Sequence, residues 1–157
     1  MNEALRKKMQ PHEIEWRIQN SRNNKTIVVP YINNRAVMER FDEAFNPSGW
    51  RNEFERWGNG SGVKCGLSVM CDGEWVTKYD GADETNIEPT KGGFSDSMKR
   101  AAVQWGLGRD LYDYPRVMIE GEHKYIPDWA HDMLNKLVEA FIGGKLGDRK
   151  VIILKEK

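Results

Sequence analysis

Lys99 and Arg100 stand side by side in the stretch FSDSMKRAAVQWGLGRDLYDY, residues 94–114. Two adjacent cations on one helix can hold phosphates of a nucleic-acid backbone, a contact that gives affinity without reading base sequence. Arg22 and Lys25, in SRNNK, which reads as a polar loop, and Lys91, upstream of the pair, could extend such a contact into a groove. That groove needs a fold that brings 22–25 near 99–100. Single-strand binders add aromatic stacking to a basic groove. Six tryptophans could supply it, although Trp50 and Trp105 read as core.

Asp72, Glu74, Asp80, Asp83 and Glu84 could supply Mg²⁺ ligands for a small metal-dependent nuclease built on the 72–84 acidic cluster. There is no compact Asp…Glu-x-Lys signature, and acidic residues beside a hairpin usually serve turns and solubility. Cys65 and Cys71 lie six apart in a strand-like run, so they share a face at about 20 Å, too far for a disulfide. His12, His123 and His131 have no metal-ligand spacing among themselves or with the cysteines. Gly58-Asn59-Gly60-Ser61-Gly62 lies between strand-like segments and reads as a hairpin tip, not a phosphate cradle. Gly143-Gly144-Lys145 lacks the rest of a nucleotide-binding loop. No catalytic residue, metal site or cofactor is therefore expected. A protein-interaction module without DNA is the third class.

The chain has 157 residues, with 24 Lys+Arg against 24 Asp+Glu, which suits one domain. Its 39% hydrophobic content is that of a globular protein, and no apolar run approaches a membrane span. The N-terminal MNEALRKKMQ lacks the apolar region of a signal peptide, so the cytoplasm is expected. Zero net charge argues against coating nucleic acid through bulk charge. By segment it hides +3 over 1–31, −1 over 32–60, −4 over 61–90, +2 over 91–116 and zero over 117–157.

The elements that must position these residues follow from pattern. Pro11 followed by HEIEWRIQN predicts a helix with proline in its first turn. KTIVVPYI, 25–32, predicts a strand, with Pro30 marking an edge or end. Asn33 or Asn34 caps a helix through Phe45. Segments 50–57, 62–71 and 74–80 predict a β-meander. Val63, Cys65, Leu67, Val69 and Cys71 alternate on one face, and Asp72-Gly73 makes a tight turn. Residues 81–93 read as a loop. The helix after it, capped by Ser95 or Asp96, carries an apolar stripe of Phe94, Met98, Ala101, Ala102 and Trp105, with Lys99, Arg100 and Val103 pointing away from the core. Gly106 and Gly108 end it. A weaker strand at 116–120, a helix over about 128–142 and a strand or tail at 150–154 complete the chain.

In sequence order, EIEWRIQNSR, VPYINNRAVMERFDEAFNPSGW and DSMKRAAVQWGLGRDLYDYP resemble the Rad52 superfamily of single-strand annealing proteins, which includes phage Sak-type annealases and bacterial DdrA proteins. The resemblance spans about residues 9–115. It implies an α+β fold with an antiparallel β-β-β-α core packed by helices, as a single domain over 1–157. The C-terminal helix and possible strand would occupy 127–155. It also implies assembly into a ring or helical oligomer, and a groove holding the backbone of single-stranded DNA with bases outward. No nucleotide hydrolysis is implied. The family's basic pair falls on Lys99 and Arg100, and its arginine before the first core strand on Arg22. A further basic residue one turn later falls on Val103, a departure that removes one charge. An outer DNA site of the family finds its nearest matches in Lys64 and Lys91. The implied partners are single-stranded DNA, the annealed duplex intermediate and copies of the same chain. A phage exonuclease or single-strand-binding protein could join them. The short form without the family's C-terminal extension suggests a phage or mobile element acting in a bacterial cytoplasm.

Overall fold

The computed structural model describes residues 2–83 and 89–157. It is α+β and divides into two compact units, each assembled from two stretches of sequence: Met1–Lys7 with Asn34–Arg109, and Lys8–Asn33 with Asp110–Lys157.

The first unit contains the short helix α1 (Glu3–Arg6), α2 (Asn34–Phe45), strands β3 (Trp50–Trp57), β4 (Gly62–Cys71) and β5 (Glu74–Asp83), and α3 (Pro89–Gln104). The three strands form the expected antiparallel meander in the order β3-β4-β5. Asp72 and Gly73 both take positive φ, 49° and 85°, which a two-residue turn joining twisted strands requires. On the inner face Val63, Cys65, Leu67 and Val69 are fully buried, and α3 lies against β4 and β5. Ala101 and Ala102, also fully buried, have no side-chain bulk to hold the helix away from the sheet. Arg40, 4% exposed, donates from Nη1 to the carbonyls of Ala4 and Lys7 at 2.7 and 2.8 Å, which satisfies the orphan acceptors at the end of α1.

The second unit holds β1 (Ile14–Arg22), β2 (Lys25–Ile32), β6 (Arg116–Glu120), β7 (Val151–Leu154) and α4 (Asp128–Ile142). Its sheet runs β1-β2-β6-β7, with β7 parallel to β6 and the other pairs antiparallel. Ala130, Leu134, Leu137 and Val138 are the buried side of α4. Tyr114 stacks on Phe141 at 4.0 Å and meets the edge of Trp16 at 5.9 Å. Pro30 pairs with Trp16 on β1 and lies beyond the Lys25–Val28 stretch that β6 covers, so its missing N–H leaves no gap in the ladder.

Four expectations are corrected. Residues 14–22 are a strand, preceded by a single 3-10 turn, Pro11–Glu13, and not a helix. SRNNK is not a loose loop: Arg22 and Lys25 are cross-strand partners about a two-residue turn whose Asn23 and Asn24 take φ of 55° and 58°. The 81–93 segment is not a loop throughout, since β5 runs to Asp83 and α3 starts at Pro89, a favoured first helical residue. Glu84 and the rest of 84–88 lie outside the described residues. Lys99 does not point to solvent: it is 8% exposed, beside Ser97 at 0% and Met98 at 4%. Burial therefore covers a wider arc of α3 than its apolar stripe.

Candidate nucleic-acid interface

The basic pair divides its roles. The Arg100 side chain is 62% exposed, while its Nε donates to Asp80 Oδ1 at 3.1 Å across the junction of α3 and β5. Lys99 is buried, with its ammonium 4.0 Å from Asp96 one turn back. Asp80 is the hub of this junction. Partial burial pushes its carboxyl up. Hydrogen bonds from Gln104, the Gly81 N–H and Arg100, with the guanidinium charge, outweigh that and leave it below the usual carboxylate range. Gln104 Nε2 also donates to the Tyr79 carbonyl.

Two further cations converge where α3 ends, and sequence reasoning missed both. Lys78 Nζ donates to the Gln104 carbonyl at 3.2 Å and lies 4.8 Å from the centre of the Trp105 ring. Arg109 turns back to donate from Nε to the Val103 carbonyl and from Nη2 to the Gln104 carbonyl, each at 2.8 Å. Guanidinium and ammonium groups at a helix C-terminus satisfy its orphan carbonyls and oppose its negative dipole end. Gly106 and Gly108, with φ of 108° and 73°, are what allow the chain to double back and place Arg109 there. The signal in the sequence was the Gly-Leu-Gly-Arg run itself. Trp105 is locked by an Nε1–H bond to the Leu67 carbonyl at 2.9 Å.

Arg22 and Lys25 belong to the second unit, brought opposite each other at the β1–β2 turn. Register also sets Lys25 across from Glu120, whose carboxylate lies 3.5 Å from Lys155. Lys64, on the solvent face of the meander, forms an ion pair with Glu55 and sits between the rings of Trp57 and Tyr79. Lys91 falls in the first turn of α3, where only the backbone is described.

The acidic residues considered for a metal are spread out in role. Asp72 forms a turn, Glu74 and Asp83 lie at opposite ends of β5, and Asp80 is committed to Arg100 and Gln104. Among the described residues no three His, Cys, Asp or Glu side chains gather as metal ligands would. Cys65 and Cys71 are both free. Among the described residues no helix is long and apolar enough to cross a membrane.

Comparison with known proteins agrees with the resemblance. Residues 1–130 match the family described as Rad52/22 family double-strand break repair protein. The chain is 31% identical over 133 residues to the single-stranded DNA-binding protein DdrA of Deinococcus radiodurans, covering 76% of this chain and 62% of that protein. It is 30% identical over 133 residues to the protein of the same name from Deinococcus deserti, covering 76% and 64%. The chain thus spans just under two thirds of the length of these relatives. The sequence motifs, the β-β-β-α unit and the family match together show that the chain belongs to the Rad52/22 family of double-strand break repair proteins.

Proposed function

We propose that this protein binds single-stranded DNA and anneals complementary strands without ATP, as a homo-oligomer acting in recombination and repair. The observation that carries the reading is the exposed Arg100 guanidinium on a helix pinned to the meander, with Arg109 held against the Val103 carbonyl one turn on. Arg109 returns a cation to the turn where Val103 stands in for the family's basic residue. The family membership and the relatives named as single-stranded DNA-binding proteins support the same reading.

The mechanism is physical and needs no catalytic residue, metal or cofactor. Arg100, with Lys99 beside it on α3, neutralises backbone phosphate and releases counterions; Arg22 and Lys25, at the β1–β2 turn, are proposed as phosphate contacts of their own unit. Phosphate contacts leave the base edges free, so a complementary strand can pair with them. Lys64 and Lys91 would serve an outer strand. Repeating a short site around an oligomer lengthens the grip beyond what one 18.2 kDa chain can supply. Among the described residues the two sheets end in strands β3 and β5, and β1 and β7, which offer edges for self-association. A ring or helical assembly, a partner exonuclease or single-strand-binding protein, and a phage or mobile-element origin in a bacterial cytoplasm complete the reading.

The test follows the rate at which two complementary labelled oligonucleotides pair without ATP. Wild type accelerates pairing, and Lys99→Ala with Arg100→Ala abolishes both acceleration and single-strand binding while assembly mass is kept. Because Lys99 is buried, Arg100→Gln alone is the companion that leaves the helix packing untouched. Wild-type binding by the double variant at moderate salt would overturn the site.

A further inference from the structure

The solvent face of the meander carries a second set of groups. Register aligns Trp57 with Gly62 and Asp83, Glu55 with Lys64 and Gly81, and Glu53 with Gly66 and Tyr79. Alternation puts these positions on one face, opposite Val63, Cys65 and Leu67. Glycine occupies three of them. A Cβ on Gly66 would stand 2.8 Å from Tyr79 Cε1, so the bare backbone there lets the ring lie across the sheet. A Cβ on Gly81 would meet only the Val63 carbonyl, at 3.4 Å. Between Trp57 and Tyr79 the floor is therefore backbone, and Lys64 rises from it with its ammonium 5.1 Å from each ring centre. Trp57 is 61% exposed and Tyr79 54%, so large aromatic faces stand in water. Further along the same face Arg51 lies 4.3 Å over Trp75, a second cation beside a second ring.

We infer that Trp57, Lys64 and Tyr79 form a seat for an unpaired nucleobase, with Arg51 and Trp75 continuing the track. The base stacks on the exposed rings, and the Lys64 ammonium leaves Glu55 for the adjoining phosphate. The chemistry selects single-stranded nucleic acid: a ring face accepts any flat base, the neighbouring cation matches the phosphate that accompanies it, and a paired base has no free face to offer. Glu53 and Glu55 oppose the phosphate, so Glu55→Gln tightens binding. This inference rests on the proposed single-strand binding and adds a contribution from the bases to one that α3 makes through the backbone.

Equilibrium binding of the full chain is measured at one salt concentration with oligothymidylate and with an abasic strand of equal length. Wild type prefers the base-bearing strand. Trp57→Ala weakens binding of that strand about 5- to 100-fold and leaves the abasic strand unchanged. Trp57→Phe, which keeps a ring, retains most of the preference. If wild type binds both strands equally, or Trp57→Ala and Tyr79→Leu bind oligothymidylate as wild type does, the stacking seat is wrong while single-strand binding stands. A change in the solution mass of DNA-free Trp57→Ala would assign the face to a second copy and overturn it too. If wild type binds neither strand, the functional reading on which the seat rests fails with it.

Discussion

The two faces of the β3-β4-β5 meander use the same strands for opposite purposes. On the inner face every polar group named above is engaged: Asp80 with Arg100 and Gln104, Lys78 with the Gln104 carbonyl, Trp105 with the Leu67 carbonyl. Its apolar residues along the middle of β4, from Val63 to Val69, are wholly buried. On the outer face Trp57, Tyr79 and Met70 stand in solvent, and the cations Arg51 and Lys64 lie against rings. The period of two in β4 makes this division, because each residue that closes the core has neighbours turned to water. One face fixes α3 in place, and the other presents groups with little structural work to do.

The thiols give the sharpest test of the closed inner face: both lie on it, Cys65 in its buried middle and Cys71 at its open end, and the effect is close to all-or-none. Burial pushes the Cys65 thiol up to about 12, and only the thiolate attacks a thiol reagent. Cys71, at the end of β4, is half-buried. Titration of the native protein should modify one equivalent quickly, with the second appearing only on unfolding. Rapid modification of both would mean that the inner face opens in the native state.

Truncating the two faces comes next. Leu67→Ala, at a fully buried inner position, should cost about 2–5 kcal/mol in urea denaturation. Met70→Ala, three residues on and 40% exposed, should cost about 0.5 kcal/mol or less. Similar losses at both sites would erase the distinction.

The smallest effect concerns acid. The Asp80 carboxyl is lowered in the folded state, so its contribution is complete above the ordinary aspartate range and is lost as pH falls through the lower folded value. Asp80→Asn should therefore flatten the acid limb of the stability curve and change neutral-pH stability by about 1 kcal/mol or less. It also frees Arg100 from its carboxylate and should strengthen single-strand binding. An unchanged acid limb would remove Asp80 from its place in the junction.

The meander, α2, α4 and β6 were legible because strict alternation, helical stripes and turn residues agreed. The short apolar run of the parallel β7 fits a strand and a tail equally well. The first strand was not legible. Ile14, Trp16 and Ile18 alternate, but a bulge between Ile18 and Asn20 breaks the period, and Pro11 with Ile14 and Ile18 imitates a helix start. The site was legible in part. The exposure of Arg100 follows from the helical stripe, whereas the burial of Lys99 depends on packing beyond it. Arg109 and Lys78 were missed because their positions depend on a glycine-led reversal and a cross-element register, which spacing alone does not reveal. Tyr79 is hidden from spacing for the same reason: its place over Gly66 exists only once β4 and β5 are aligned.

The central claim, that Arg100 grips the backbone of single-stranded DNA, is tested most directly by the salt dependence of binding. Affinity for oligothymidylate is measured across a range of salt for wild type and Arg100→Gln. The account predicts a linear fall in log affinity with log salt, weaker binding by Arg100→Gln, and a slope shallower by about 0.7 for each phosphate that the variant no longer neutralises. Equal affinity and equal slope in the two proteins would contradict it.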